Sequence, residues 1–203
     1  MKKTPSRLNV PYDKNYFTDG TSYSETAFCE SQDIFRRQVE MIQDVIGEFK
    51  NKTILDVGGA LGWFAKRCED KGAIAYCQDI SEWACNNSPI PHRMRCGDAG
   101  KKLLFEDNYF DIVISIESIE HYDDIHNCFK EIARVLKPNG LFYCSIGLGD
   151  GERHVWVGTI DEWAEIIDST PGLVVDKDLT KQMRAHPYVI LQNWSTIIAK
   201  KSS

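Results

Sequence analysis

The sequence lacks a long apolar run anywhere along its 203 residues. No stretch approaches the roughly 18 consecutive apolar residues that a membrane-spanning helix requires. The opening residues, Met-Lys-Lys-Thr-Pro-Ser-Arg, lead into no apolar segment and so do not resemble a secretory signal peptide. We therefore expect a cytoplasmic protein with no membrane partner.

A disulfide framework is also missing. The cysteines are odd in number, widely scattered and never spaced as Cys-x-x-Cys, which argues against both disulfide pairing and a zinc knuckle. Several lie in apolar, strand-like runs, where thiols are typical small buried residues of a reducing compartment. The positions are Cys29, Cys68, Cys77, Cys85, Cys96, Cys128 and Cys144.

Positive charge is scarce, because 24 Lys and Arg residues stand against 30 Asp and Glu residues, giving a formal net charge of -6. Basic residues cluster only at the two ends of the chain, whereas a nucleic-acid surface needs a larger cluster. The composition therefore argues against a nucleic-acid partner. With 42% hydrophobic residues, the chain suits one sizeable core and is short for two, which predicts a single domain over residues 1–203.

Apolar periodicity divides this domain into three parts. Residues 1–50 hold a polar start and an amphipathic helix, and residues 51–146 alternate strands with helices. Residues 147–203 add a Gly-rich loop and two late apolar runs, LVV (173–175) and STIIA (195–199), that can pair antiparallel. This order predicts an α/β Rossmann-like three-layer sandwich with a mostly parallel sheet. The earlier strands expected are TILDVG (53–58), IAYCQD (74–79), HRMRCG (92–97), FDIVISI (110–116) and LFYCSI (141–146).

The ends of the first three strands carry the residues expected to bind a ligand, because ligands of such sheets lie across the carboxyl ends of the strands. The first strand leads into the glycine-rich turn 58–62, whose backbone N–H groups can approach a ligand at a helix start. The second ends in Asp79, an acid placed to accept both ribose hydroxyls. The third ends in Gly97-Asp98-Ala99, suited to adenine. A single glycine-rich turn is weak evidence for a bound ligand, but the turn and the two acidic strand ends, in this order, together predict a cofactor site.

These motifs resemble those of class I S-adenosylmethionine (SAM)-dependent methyltransferases. ILDVGGALGWF is similar to their first motif, CQDIS to the second, CGDAGKKLLFEDNYFDIVIS to the third and fourth, and EIARVLKPNGLFYCS to the helix, turn and fifth strand. The chain departs from the family at Ala60, which stands where the middle glycine belongs. The resemblance implies a seven-stranded sheet with an antiparallel last strand, and SAM as the cofactor.

The resemblance also implies roles. Gly58 and Gly62 would cradle the methionine part of SAM, and Asp56 would lie near its amino group or order the loop. Asp79 would hold the ribose, and Asp98 with its neighbour would bind adenine. The full set expected at the cofactor is Asp56, Gly58, Gly59, Gly62, Asp79, Ile80, Asp98, Ala99 and Glu117.

A nicotinamide-dependent dehydrogenase is the nearest competing enzyme class, since it also needs glycines and an acid about 20 residues on. Its Gly-x-Gly-x-x-Gly motif would require glycines at 60 and 63, where this chain has Ala60 and Trp63. It also gives no reason for Asp98. We set the dehydrogenase aside.

The segment after the fourth strand, residues 117–124, is the expected place for acceptor chemistry. The unperturbed pKa of a histidine lies near neutral pH, so His121 suits a general base, and His154 on the Gly-rich loop is the second candidate. The alternative is a structural histidine paired with a neighbouring carboxylate.

A divalent metal is a further interpretation of the same segment. Glu117, Glu120 and His121 stand at i, i+3 and i+4, so a helix would place them on one face, where they suit Mg²⁺ or Mn²⁺. The spacing is similar to that of metal-dependent SAM enzymes, both ubiquinone-pathway and small-RNA O-methyltransferases, with His154 or His126 as a fourth ligand. The favoured alternative is that Glu-His is common here in metal-free relatives, so no firm metal site is predicted.

Two other groups are candidates for the substrate side. Arg184 and His186 precede the last strand and could reach the mouth of the site. Rings near the start could form an aromatic lid over the cofactor or simply anchor a loop; they are Tyr12, Tyr16, Phe17 and Tyr23.

Together these features predict an enzyme that transfers the methyl group of SAM to an oxygen or nitrogen of a small-molecule acceptor, as a monomer or homodimer. Two alternatives stay open: methylation of RNA or protein, with or without a metal, and a catalytically silent SAM-binding regulatory domain.

Overall fold

A computed structural model describes residues 1–4, 12–18, 32–151 and 153–203 of the chain. The strands in this part are β1 (Lys2–Lys3), β2 (Thr53–Val57), β3 (Ile74–Asp79), β4 (Met94–Cys96), β5 (Phe110–Ile116), β6 (Leu136–Ile146), β7 (Trp156–Val157), β8 (Leu173–Val175) and β9 (Ser195–Lys201). The helices are α1 (Lys14–Thr18), α2 (Gln32–Ile46), α3 (Trp63–Asp70), α4 (Glu82–Asn86), α5 (Ile125–Val135), α6 (Ile160–Ser169), α7 (Lys177–Ala185) and α8 (Pro187–Gln192), with a one-turn 3₁₀ helix at Ile119–His121.

Seven of the described strands form one sheet in the order β4-β3-β2-β5-β6-β9-β8. β4, β3, β2, β5 and β6 are parallel, whereas β9 is antiparallel to both of its neighbours, β6 and β8. The predicted mostly parallel sheet with an antiparallel last strand is therefore confirmed. The chain moves outward from β2 to β4 and then returns beside β2 as β5, so the strand order reverses between β2 and β5.

The two faces of the sheet pack against separate groups of helices. Successive side chains of a strand point to opposite faces, so Leu55 and Val57 pack with Phe129 of α5 and Trp163 of α6. Ile54 instead packs on the other face, with residues of α2, α3 and α7. Such near-continuous apolar strands are typical of a sheet covered on both faces, and the result is the predicted three-layer sandwich.

The sequence patterns missed three features of the second half. α7 and α8 were not expected, because residues 177–192 mix polar and apolar positions without a clear break. β6 begins at Leu136 rather than Leu141, so it includes the Lys-Pro-Asn-Gly segment that was expected to be a turn. Leu136 pairs with Phe110 before the ladder shifts its register, and Asn139 takes a left-handed φ of 63° within this irregular stretch.

The cysteines within the described residues are free thiols. Those in the interior of the fold are buried, as expected: Cys68, Cys77, Cys128 and Cys144. Cys96 is exposed because β4 is the edge strand of the sheet, and Cys29 lies outside the described residues. Among the described helices, none is both long and apolar enough to cross a membrane.

The start of the chain packs against the Gly-rich segment that follows β6. β1 pairs antiparallel with β7, and the Lys3 ammonium lies 2.6 Å from a carboxylate oxygen of Asp123. The Trp156 indole N–H donates to the carbonyl of Tyr122, so this ring anchors the segment. These contacts fix the segments on either side of the site.

Candidate active site

A cavity of about 410 Å³ lies over the carboxyl ends of β2, β3, β4 and β5, next to the point where strand order reverses. Of the residues expected at a cofactor, its lining includes Gly58, Asp79, Ile80, Asp98, Ala99 and Glu117. Asp56, Gly59 and Gly62 are not part of this lining. The four strand ends thus meet at one concave surface of ordinary ligand-pocket size.

The turn after β2 approaches its neighbours too closely for side chains. Gly58 has a φ of 71°, and a Cβ there would collide with the Ser118 hydroxyl and lie 2.5 Å from the Tyr122 hydroxyl. Gly62 has a φ of 86° and stands directly before α3. Glycine is therefore required at both positions, and the N-terminus of α3 opens toward the turn.

Ala60 takes over the conformation that the family motif gives to a glycine. Its φ is 53°, which is left-handed, and its backbone N–H donates to Asp79 Oδ2 over 2.8 Å. A methyl group in this region costs about 1–2 kcal/mol relative to the right-handed helix region. The substitution keeps the shape of the loop at the expense of some strain.

The Asp79 carboxylate holds two turns at once. Oδ2 accepts from Ala60, and Oδ1 accepts from the backbone N–H of Ser81, 2.8 Å away, at the start of α4. Removal from water raises the pKa of Asp79 to about 6, and the backbone donors partly oppose that shift. A carboxylate offers about four lone-pair directions, so its oxygens can still accept two ribose hydroxyls.

Asp56 lies beneath the turn and does not line the cavity. It is 2% exposed, and a Cβ on Gly59 would collide with its carboxylate. Burial and, to a smaller extent, the nearby charge of Asp79 together raise the pKa of Asp56 to about 8. Of the two roles left open for Asp56, this placement favours ordering the loop.

The end of the cavity beyond β4 is formed by Asp98 and Ala99. Asp98 Oδ1 accepts from the Gly100 N–H over 2.9 Å, and Oδ2 lies 3.3 Å from the exposed ammonium of Lys101. Ile80, half exposed, contributes an apolar surface to the same cavity. A planar ring with an amino group would find both an acceptor and an apolar wall here.

Aromatic rings close the side of the cavity formed by residues 12–18. Tyr12, Tyr16 and Phe17 belong to its lining, and Phe17 stacks on Trp83 of α4 with ring centroids 5.2 Å apart. The Arg153 guanidinium lies 4.1 Å from the centre of the Tyr16 ring. Arg153 belongs to the Gly-rich loop expected on the substrate side, but nothing in the sequence of that loop indicates the ring beneath it. Tyr23 lies outside the described residues.

Glu117 connects this cavity with a second one. The second cavity, of about 420 Å³, is lined by residues that follow β6 and precede β9, with Glu117 at its edge. Glu117 has a φ of 48°, a strained left-handed value for a non-glycine residue, and burial raises the pKa of its carboxyl group. The strained turn places this side chain between the two cavities.

Glu120 is fully buried beside that junction. Its Oε1 accepts from the Gly147 N–H over 2.8 Å, whereas Oε2 has no hydrogen-bond partner within the described part of the chain. Burial raises the pKa of Glu120 to about 8, and the neighbouring charge of Glu117 adds to this.

The two candidate bases, His121 and His154, lie together with ring centroids 5.1 Å apart. His121 lines the first cavity, and its Nδ1 lies 2.8 Å from the Arg153 carbonyl. Because a carbonyl can only accept, Nδ1 carries the proton and Nε2 the lone pair. Burial lowers the pKa of His121, which favours this neutral form.

The predicted arrangement of Glu117, Glu120 and His121 on one helix face is wrong. The helix there is a single 3₁₀ turn that begins at Ile119, and Glu117 precedes it in a left-handed turn. Instead, the structure groups Glu120 and His121 with His154.

Three other candidates lie away from the cavity. His126 packs edge-on against Trp156, with ring centroids 6.2 Å apart. Arg184 donates to the Thr196 carbonyl, and His186 lies 3.3 Å from Asp44. Neither Arg184 nor His186 is part of the lining of the two cavities, so their position at the mouth of the site stays an expectation.

The comparison with known families agrees with this geometry. Residues 55–144 match the family model described as "Methyltransferase domain". The chain contains a class I SAM-dependent methyltransferase domain. The matched range contains every strand-end residue of the first cavity from Gly58 to Glu117, and SAM is the cofactor of this class.

Individual relatives of this methyltransferase domain differ in their named activities. The ubiquinone/menaquinone biosynthesis C-methyltransferase UbiE of Brucella canis is 33% identical over 127 residues, which is 61% of this chain and 40% of that protein. The chain spans less than half the length of the curated relatives it matches.

Two solved structures share the fold at low identity. Phosphoethanolamine N-methyltransferase 2 of Haemonchus contortus, in complex with phosphomonomethylethanolamine and S-adenosylhomocysteine, has a TM-score of 0.66 at 19% identity and covers 92% of this chain and 59% of its own. The [4+2]-cyclase SpnF has a TM-score of 0.64 at 17% identity, with 90% and 83% covered. At these identities the likeness shows the fold alone.

Proposed function

We propose that this protein transfers the methyl group of SAM to an oxygen or nitrogen atom of a small-molecule acceptor. The observation that carries the proposal is the Asp79 carboxylate, which faces the first cavity while it holds the glycine turn through Ala60. Five other residues expected at the cofactor also line this cavity, which supports the proposal: Gly58, Ile80, Asp98, Ala99 and Glu117.

The first cavity fits SAM in three respects. The turn from Gly58 to Gly62 presents backbone at the start of α3, where helix N–H groups favour a carboxylate. Asp79 offers acceptors for a ribose, and Asp98 with Ile80 offers an acceptor and an apolar wall for adenine. SAM supplies an activated methyl group on a sulfonium. The residues of the chain supply position and a water-poor site.

The second cavity is the proposed acceptor site. It adjoins the first at Glu117, and Gly147, Leu148 and Trp194 contribute to its lining. With a volume of about 420 Å³, it suits a small molecule. His121 and His154 lie beside the junction and are the proposed acceptor-side residues. The net charge of -6 supports a small molecule over RNA as the acceptor.

The test has two arms, because a methyltransferase fold alone does not establish methyl transfer. Calorimetry with SAM and S-adenosylhomocysteine measures cofactor binding, and failure to bind either would refute the proposal. Radiolabelled SAM is then incubated with separate pools of metabolites, RNA and protein. Label in the metabolite pool is the expected result. Label only in RNA or protein, or binding without any transfer, would favour one of the two alternatives.

A further inference from the structure

The starting observation is a buried carboxylate oxygen. The Glu120 side chain is 0% exposed, and its Oε1 accepts from the Gly147 N–H. Its Oε2 has no hydrogen-bond partner within the described residues. A buried polar atom without a partner is unfavourable, so a ligand that satisfies it gains a corresponding advantage.

Two imidazole rings next to this carboxylate are oriented by backbone carbonyls. His121 Nδ1 lies 2.8 Å from the Arg153 carbonyl, and His154 Nδ1 lies 2.7 Å from the Gly149 carbonyl. Both Nδ1 atoms therefore carry the proton, which leaves the lone pair of each neutral ring on Nε2. Histidines that bind metals almost always donate their other N–H to a carbonyl or carboxylate in this way.

Two glycines leave room for the His154 ring beside Glu120. A Cβ on Gly147 would lie 2.7 Å from Glu120 Oε1 and 3.0 Å from His154 Nε2. A Cβ on Gly151 would lie 2.8 Å from the same Nε2. The His154 ring thus lies close to the backbone of two glycines, where a larger residue would collide with it.

We propose that Glu120, His121 and His154 bind a divalent transition-metal ion, with Zn²⁺ as the best match. One ligand atom from each of these residues lies within 4.8 Å of the others. Metal–ligand bonds of about 2.1 Å would place tetrahedral donors about 3.4 Å apart, so donors that now lie up to 4.8 Å apart draw together by at most about 1.4 Å on binding. Two imidazoles and one carboxylate are a known zinc-ligand set that leaves a coordination position open.

The proposed ion would lie between the two cavities. His121 lines the first cavity, whereas Gly147, which contacts both Glu120 and His154, lines the second. The open position is then within reach of an acceptor in the second cavity. The access of an acceptor to the ion rests on the proposed function, whereas the binding of the metal does not. Metal binding and methyl transfer can therefore fail separately.

The test uses the full-length chain and Co²⁺ as a visible probe, because Co²⁺ occupies zinc sites and absorbs when bound by nitrogen ligands. The expected result is one Co²⁺ per chain, displaced by Zn²⁺ and removed by chelator. Glu120→Gln and His154→Asn should each weaken Co²⁺ binding at least about tenfold. The matched control is His126→Asn, whose ring contacts Trp156, and it should bind as the unaltered chain does.

Binding of S-adenosylhomocysteine reports whether each variant keeps its fold. His154→Asn should retain that affinity while it loses Co²⁺, since His154 does not line the cofactor cavity. Absence of Co²⁺ and Zn²⁺ uptake by the unaltered chain would overturn the proposal whatever the variants do. Uptake that survives both Glu120→Gln and His154→Asn would also overturn it.

Discussion

The Asp79 carboxylate accepts a hydrogen bond from the backbone N–H of Ala60, 2.8 Å away, and so joins the end of β3 to the turn that follows β2. The same carboxylate faces the cavity. The shape of the glycine turn and the charge available to a ribose therefore depend on one side chain. The following predictions concern this pair and the groups around it.

Replacement of Ala60 by glycine should stabilise the protein. The residue has a φ of 53°, where an alanine is strained and a glycine is not, so Ala60→Gly should raise the free energy of unfolding by about 1 kcal/mol. Urea unfolding measures the change. Ala164→Gly, in the interior of α6, is the matched control and should lower stability by about 1 kcal/mol. A loss of stability in Ala60→Gly would contradict the strain argument.

SAM affinity should depend on the charge of Asp79. Its pKa is raised to about 6, and ribose hydroxyls donate to the ionised form, so affinity should rise as the pH increases through about 6 and level off above it. Calorimetry across this range measures the dependence. Asp79→Asn should weaken SAM binding about tenfold or more at neutral pH and remove this rise. The exposed Glu82→Gln at the start of α4 serves as the control. An affinity that stays constant through pH 6 would exclude Asp79 as the ribose acceptor.

Much of the fold was predictable because its signals are local. β2, β3 and β5 are apolar runs that end at, or are followed by, a glycine or an acid, and the predicted strand ends bring Gly58, Asp79 and Glu117 to one cavity. The role of Ala60 was less accessible, since its left-handed φ follows from the bond to Asp79, 19 residues later in the chain.

The acceptor side was predicted less well, because its geometry depends on long-range contacts. The spacing of Glu117, Glu120 and His121 indicates a common helix face, yet the segment forms only one 3₁₀ turn after a strained residue. His154 joins Glu120 and His121 because β6 lies beside β5, which brings the loop after β6 next to the 3₁₀ turn. No local pattern encodes that proximity.

Arg134 should be a main stabilising residue of the segment that follows the Asp98 turn. Its guanidinium donates to the carbonyls of Leu103 and Phe105 and to the carboxylates of Asp107 and Glu131, over 2.6–2.9 Å. Arg134→Ala should lower the free energy of unfolding by about 2 kcal/mol, since three partly buried acceptors lose their donor. Urea unfolding measures this loss, and Lys130→Ala on the exposed side of α5 should change stability little. Equal effects of the two variants would contradict the role of Arg134.

Asp56 should make the protein less stable as the pH rises. Burial raises its folded-state pKa from 3.8 to about 8, so between these values the folded state binds a proton that the unfolded state has released. Stability therefore falls with increasing pH across that window, and the fall ends above about pH 8, where both states are ionised. Asp79 contributes in the same direction up to about pH 6, and Glu120, whose pKa is also raised to about 8, contributes across the same window as Asp56.

Asp56→Asn keeps the shape of the side chain and removes its titration. The decline in unfolding free energy between about pH 6 and pH 8 should then be smaller than in the unaltered chain, and the part that remains is the contribution of Glu120. Urea unfolding at several pH values measures both slopes, and Asp161→Asn, at the exposed start of α6, should leave the slope unchanged. If Asp56→Asn retains the full slope, another group is responsible for it, and Asp56 must be ionised in the fold at neutral pH.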